Sequence, residues 1–163
     1  MRHEIERKFL VSHDGWKAEM VEAHRFRDGL VLRTDGGKLR VRIEGARASI
    51  ALKSPRQGLS RLEFEYEIPL ADAEAMLQTF SLDNVIEKTR HLVPHAGLTW
   101  EVDVYEGVLS GLVLAEVEVL TEDQAIALPD WVGREVTMES RYHKTALLAA
   151  ATGDAAGLSH LIL

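Results

Sequence analysis

Residues 38–44 read Lys38-Leu39-Arg40-Val41-Arg42-Ile43-Glu44. Leu39, Val41 and Ile43 fall on one side of an extended chain, and Lys38, Arg40, Arg42 and Glu44 fall on the other. A period of two is the mark of a β-strand with unlike faces. The same alternation recurs toward both ends. In 61–68, Arg61, Glu63, Glu65 and Glu67 share a face. Near the start, Glu4, Glu6 and Lys8 share one, with Ile5, Phe9 and Val11 opposite and Arg7 interrupting. In 99–105, Glu101, Asp103 and Tyr105 oppose Trp100, Val102 and Val104. In 114–119, Glu116 and Glu118 oppose Val117 and Val119. Lys88 and Arg90 alternate less cleanly, and Lys53 ends a short run after Ile50 and Leu52.

Between the strands lie helical candidates. Met76, Leu77 and Phe80 recur at helical spacing in 71–80, after Pro69, and Met76 and Phe80 are expected in the core. Residues 14–23 and 121–127 are weaker candidates, and 143–151 form an Ala/Leu-rich one. Turn signals sit at 35–37, Gly45, 55–58, 94–97 and Gly107. Strands dominate, which predicts an antiparallel α+β or barrel architecture and not βαβ winding. The chain has 163 residues, 46% of them hydrophobic. That suits one compact domain with a real core. There is no cysteine, so disulfides, thiolate metal sites and cysteine nucleophiles are excluded. The longest apolar run, 146–151, is six residues, against about 20 for a membrane span. The start, Met1 to Leu10, is too charged for a signal peptide. A cytoplasmic protein is expected, with no membrane partner. The net charge of -7 disfavours nucleic acid as a partner.

An ordinary sheet with one wet face would also alternate. Here, however, the polar parity is almost wholly Glu, Asp, Arg and Lys. Like charges repeat two residues apart: Glu4/Glu6, Arg40/Arg42, Glu63/Glu65, Lys88/Arg90, Glu116/Glu118. That repulsion is relieved if carboxylates grip cations and basic groups grip anions. A closed barrel of about eight strands has room inside for side chains or one small ligand. Arg forks match phosphate oxygens. Oxygen-only ligands favour a hard ion, Mg²⁺ or Mn²⁺. Together they predict a polyphosphate site. Gly36-Gly37-Lys38-Leu39 is not a P-loop, since the upstream Gly and the Ser/Thr after Lys are missing. His3, His91, His95 and His143 show no spacing for a shared metal and are expected on the surface or in loops.

Glu4-Ile5-Glu6-Arg7-Lys8 resembles the ExExK signature of the CYTH domain, the triphosphate tunnel metalloenzymes. The similarity continues through Arg40-Val41-Arg42, Leu52-Lys53-Ser54, 60–65, 87–90, 100–104, 115–118 and 129–133, covering about residues 2–150. The resemblance implies a closed antiparallel β-barrel of about eight strands around a charged tunnel, with helices packed outside. It places the domain at 1–152 and leaves 153–163 as a tail that docks on the barrel, on a second subunit of a homodimer, or on neither. It implies metal-dependent hydrolysis of inorganic triphosphate to pyrophosphate and phosphate, by in-line attack of a metal-activated water. Lys8, Arg40, Arg42, Lys53, Arg61, Lys88, Arg90 and Lys144 would hold the triphosphate. Glu4, Glu6, Glu116 and Glu118 would hold Mg²⁺ or Mn²⁺. Glu4, Glu6, Lys8 and Lys53 form the catalytic set, supported by the acidic Glu63, Glu65 and Asp103.

Several alternatives stay open. Arg61 and Glu63 could simply pair across strands, Asp103 could serve structure, and Lys144 could be a solvated helix residue. The substrate could be an organic triphosphate, as for a thiamine or nucleoside triphosphatase or an adenylate cyclase. Tyr105 is the one clear inward aromatic for stacking a base. A non-catalytic polyphosphate-binding module is a further reading. Two departures stand out. Leu30 aligns with a Tyr common among short relatives, and Arg141-Tyr142-His143-Lys144 replaces an Arg-Tyr-x-Asn pattern.

Overall fold

The computed structural model describes residues 2–81, 85–144, 146, 147 and 149. Nine strands run in chain order: β1 (Arg2–Val11), β2 (Glu22–Thr34), β3 (Gly37–Glu44), β4 (Arg47–Lys53), β5 (Ser60–Glu67), β6 (Val85–His95), β7 (Leu98–Tyr105), β8 (Val113–Glu118) and β9 (Val132–Glu135). An α-helix, α1 (Leu70–Phe80), is inserted after β5. The hydrogen-bonded order is β5-β4-β3-β2-β6-β7-β8-β1, and a further β1–β5 pairing closes the ring. Every pair is antiparallel. The result is a closed eight-stranded barrel, with β9 added to β1 outside the ring.

Alternation decides what each strand buries, because successive side chains point to opposite faces. The apolar parity lies outside the barrel and is covered over much of the ring, while Leu32, Leu52, Phe64 and Tyr66 stay exposed on the β2, β4 and β5 side. Phe9, Val93, Trp100, Val102, Ala115 and Val117 pack under Trp16 and Trp131. Val41, Ile43 and Ala48 pack under Ala73 and Leu77 of α1. The charged parity therefore turns inward, as the pattern predicted. On the β6–β8 side one end of the bore becomes apolar. There Ile86, Tyr105 and Leu114 pack with Leu109, Leu112, Val136, Tyr142 and Leu147, and Leu10 and Leu30 lie against them.

The structure corrects several expectations. Residues 14–23 hold only a 3-10 turn (Asp14–Ala18), after which β2 has begun by Glu22. Residues 121–127 form turn and irregular structure, not a helix. Helix 71–80 is present as α1, but Phe80 is exposed and not core, because it lies on the outer side of the last turn. Of 143–151, His143 is a bend, residues 144, 146, 147 and 149 are helical and the others lie outside the described residues, as does the 153–163 tail. No helix among the described residues is long and apolar enough to cross a membrane.

Candidate functional site

The bore contains two joined cavities of about 630 and 680 Å³, which share Glu6 and Lys144 in their walls. The first opens at the β2–β3 turn and the 54–56 loop, and it is basic: Lys8, Arg33, Lys38, Arg40, Lys53, Arg56, Arg61 and Lys144 line it. The second is acidic: Glu4, Glu6, Glu63, Glu65, Glu101, Glu116 and Glu118 line it, with Arg42 and Arg90. All the predicted site residues thus project from the inner parity of β1, β3, β4, β5, β6, β7 and β8, apart from Lys144, which follows the 3-10 turn Ser140–Tyr142. Lys8, Arg40, Lys53 and Arg61 line the basic half, Arg42 and Arg90 line the acidic half with Glu4, Glu116 and Glu118, Glu6 and Lys144 line both, and Lys88 is buried behind the walls of the two cavities.

Strand register explains the acidic half. Glu6 pairs with Glu118 across β1 and β8, and Glu101 pairs with Glu116 across β7 and β8. Like charges directly opposite are destabilising in a sheet that serves only structure. Among the described residues, no three His, Asp or Glu side chains converge into a ready ligand cluster. The four predicted ligands divide instead. Glu4 accepts from Arg61 Nε at 2.5 Å and lies 3.4 Å from Lys53 Nζ. Glu116 lies 2.7 Å from Lys8 Nζ and accepts from Arg90 Nη2 at 2.7 Å. Glu6 is half-buried and Glu118 is exposed toward the cavity. The all-oxygen donor set and the opposed carboxylate pairs fit a hard divalent ion.

Electrostatics follows from burial and these pairings. Burial disfavours the Glu4 and Glu116 anions. The Arg61 hydrogen bond with the Lys53 and Arg61 charges for Glu4, and Lys8, Lys144, Lys88 and Arg90 for Glu116, outweigh it and hold both carboxyls well below the usual range. Burial lowers Lys8, but Glu116 and Glu6 more than restore its charge. Lys53 donates to Glu63 at 2.7 Å. Burial and the neighbouring Glu4 carboxylate raise Glu63. Ser49 Oγ donates to Glu65 at 2.6 Å.

Asp103 is wholly buried and bonded to both Lys88 and Arg90. It holds those two cations side by side. Burial lowers Lys88, and Arg90 beside it adds to the effect. Lys144 is lowered by burial and then by Lys88; it faces the bore and is not a solvated helix residue.

Two inward residues of β2 escaped the sequence reading. Asp28, 1% exposed on β2, accepts from Arg40 Nε at 2.6 Å and from Arg42 Nη2 at 3.4 Å. Burial opposes its charge, but Arg40, Lys144, Arg42 and Lys88 hold it far below the usual carboxylate range. Phe26, two residues earlier, lies within 6 Å of the Arg42, Lys88 and Arg90 charges, which makes it a second inward aromatic beside Tyr105. The signal available was the parity His24, Phe26, Asp28, Leu30. It was masked because the other parity, Arg25 and Arg27, is equally polar. Those two pair outside the barrel, Arg25 with Glu106 at 2.9 Å and Arg27 with Glu74 at 2.6 Å.

Comparison with known proteins matches this arrangement. The sequence model of the CYTH domain matches residues 2–150. An inorganic triphosphatase of Acetivibrio thermocellus is 39% identical over 148 residues, covering 91% of this chain and 94% of its own. An inorganic triphosphatase of Nitrosomonas europaea is 43% identical over 151 residues, covering 88% and 95%. The crystal structure of an inorganic triphosphatase superposes with a TM-score of 0.65 at 40% identity, covering 91% of this chain and 95% of that one. From the closed barrel, its charged bore and these matches, the chain belongs to the CYTH domain family of triphosphate tunnel metalloenzymes.

Proposed function

We propose that this chain hydrolyses inorganic triphosphate to pyrophosphate and phosphate with the help of a divalent metal ion. The observation that carries the reading is the division of one enclosed chamber into a basic half and an acidic half. A chain of phosphoryl groups with its counter-cation needs both at once. The kinship with two inorganic triphosphatases supports the same substrate.

In this reading Lys8, Arg40, Lys53 and Arg61 bind the phosphate chain from the basic half, Lys144 from the junction and Arg42 and Arg90 from the acidic half, while the buried Lys88 adds positive charge behind the wall. Asp28 and Asp103 fix the forks of Arg40 and Arg90, so the cations are oriented before substrate arrives. Such preorganisation avoids reorganisation cost at the transition state. Glu4, Glu6, Glu116 and Glu118 would hold Mg²⁺ or Mn²⁺. When bound, the ion supplies Lewis acidity, offsetting phosphate charge and making water more acidic. Glu63 and Glu65 stand at the same wall, where they orient water, and Glu63 also restrains Lys53. Barrel walls exclude bulk solvent, which strengthens each of these contacts. No covalent intermediate is needed.

Among the described residues the basic cavity has no Phe, Tyr or Trp in its wall, which ranks an adenylate cyclase below a triphosphatase. The intact carboxylate set ranks a pure anion-binding module lower still. The test is a product profile with tripolyphosphate, pyrophosphate, thiamine triphosphate and ATP, each with Mg²⁺ or Mn²⁺. Phosphate release from tripolyphosphate is the expected leading activity. Cyclic AMP from ATP would replace this reading with the cyclase. Tight binding without turnover of any compound would replace it with the module. Glu6→Gln and Glu118→Gln, which remove no buried ion pair, should each cut turnover by about 100-fold or more with an unchanged melting temperature.

A further inference from the structure

Three basic residues at the mouth stand outside the proposed triphosphate grip: Arg33, Lys38 and Arg56. Their placement is built into the fold. β2 carries a bulge between Leu30 and Leu32. A bulge adds one residue to a strand and so re-aims the side chains that follow. Leu32 is thereby turned out to solvent, and Arg33 joins the inner parity directly across from Lys38. Lys38 is in turn directly across from Lys53. Three cations stand side by side on three adjacent strands, an arrangement that a sheet disfavours unless something anionic lies over it.

The protein itself supplies little of that anion. Lys53 has Glu63 and Glu4. Arg33 and Lys38 make no side-chain hydrogen bond or ion pair among the described residues. Arg56 comes within 3.6 Å of Glu6 through Nη2, while its Nη1 is buried without a hydrogen-bond partner. Asp35 lines the same cavity without an ion pair to any of the three. Burial, with Arg61, Arg40, Lys53 and Arg56 around it, pushes the Lys38 ammonium down to about 7, so an arriving anion would restore its proton.

We propose that Arg33, Lys38 and Arg56 form an outer anion subsite that holds the phosphoryl groups beyond the third of a linear polyphosphate whose end lies in the bore. The proposal rests on the triphosphate reading of the bore and extends it outward. Along β3, Lys38 lies two residues beyond Arg40, about 7 Å farther toward the mouth. A fourth phosphoryl group continues the chain in that direction. A nucleoside in the same place would find cations and no Phe, Tyr or Trp side chain to stack on.

The test is equilibrium binding of tripolyphosphate and tetrapolyphosphate to the full chain, without divalent ion, for the native protein, Arg33→Gln and Lys38→Gln. Both positions lie beside the β2–β3 turn, and melting temperatures confirm that each variant is folded. The native protein is expected to bind the tetrapolyphosphate more tightly. Each variant should weaken tetrapolyphosphate by about tenfold and tripolyphosphate by less than about twofold. Equal loss for both chain lengths, or no loss for either, overturns the subsite. Failure of the native protein to bind tripolyphosphate at all would overturn the reading of the bore itself, a result distinct from the other two.

Discussion

Asp28 shows how one side chain sets the character of its neighbours. It is enclosed by Arg40 and Arg42, and Arg40 is itself 3% exposed. Removing one member of a buried, hydrogen-bonded pair leaves the others charged and unmatched, which costs about 3–5 kcal/mol. Asp28→Asn should therefore lower stability by that order in denaturant unfolding. It should also raise KM for tripolyphosphate, because the Arg40 fork loses its anchor. A variant of native stability would show that Asp28 is not the partner that fixes the pair. Asp103 plays the matching part for Lys88 and Arg90. Its inward direction was legible from the alternation of 99–105, but its partners were not, since pairing across strands is set by register and the sequence carries no register label.

At the scale of elements, legibility tracked the contrast between the two faces of each strand. β1, β3, β5, β7 and β8 alternate charged with apolar residues and could be read directly. β2 could not, because it carries charge on both faces and glycine at its centre. Gly29 explains that choice. A Cβ there would meet Leu77 Cδ2 at 2.4 Å and Ser81 Oγ at 2.8 Å, so α1 can lie close only over a bare backbone. Gly29→Ala should push α1 away and destabilise by about 1–3 kcal/mol, visible as a lower denaturant midpoint, with the loss concentrated in amide protection of 70–80. An unchanged midpoint would mean that α1 shifts freely. The bulge in β2 was likewise hidden, since nothing in Leu30-Val31-Leu32 announces an extra residue. The inward direction of the candidate site residues was legible because they are charged on strands whose other face is apolar, whereas Asp28 and Phe26, on β2, were not.

The whole molecule encloses many charges with few solvent contacts, and its stability should report on their titration. Burial, reinforced by neighbouring cations, lowers the ammonium groups of Lys38, Lys88 and Lys144. Each binds a proton more readily unfolded than folded, so stability should rise with pH above about 7, until tyrosine titration near 10 reverses it. Tyr105, raised by burial, then holds its proton in the folded state and works the other way. Urea midpoints across that window check the slope, and Lys38→Met should flatten it. A falling midpoint between pH 7.5 and 9, values within the range set by the ordinary lysine and histidine pKa values, would contradict the assignment. Tripolyphosphate should stabilise the same protein by about 2.7 kcal/mol at a hundredfold excess over its Kd, since it relieves repulsion that only the folded state contains. β1 holds this enclosure together, touching β5, β8 and β9 along its ten residues. β1 must wait for partners in β8 and β9 that lie more than about a hundred residues downstream, which makes closure a late, non-local event. Such topology slows folding and lengthens the time an unpaired edge is exposed, so this barrel should depend on chaperone protection during synthesis more than a helical bundle of equal size.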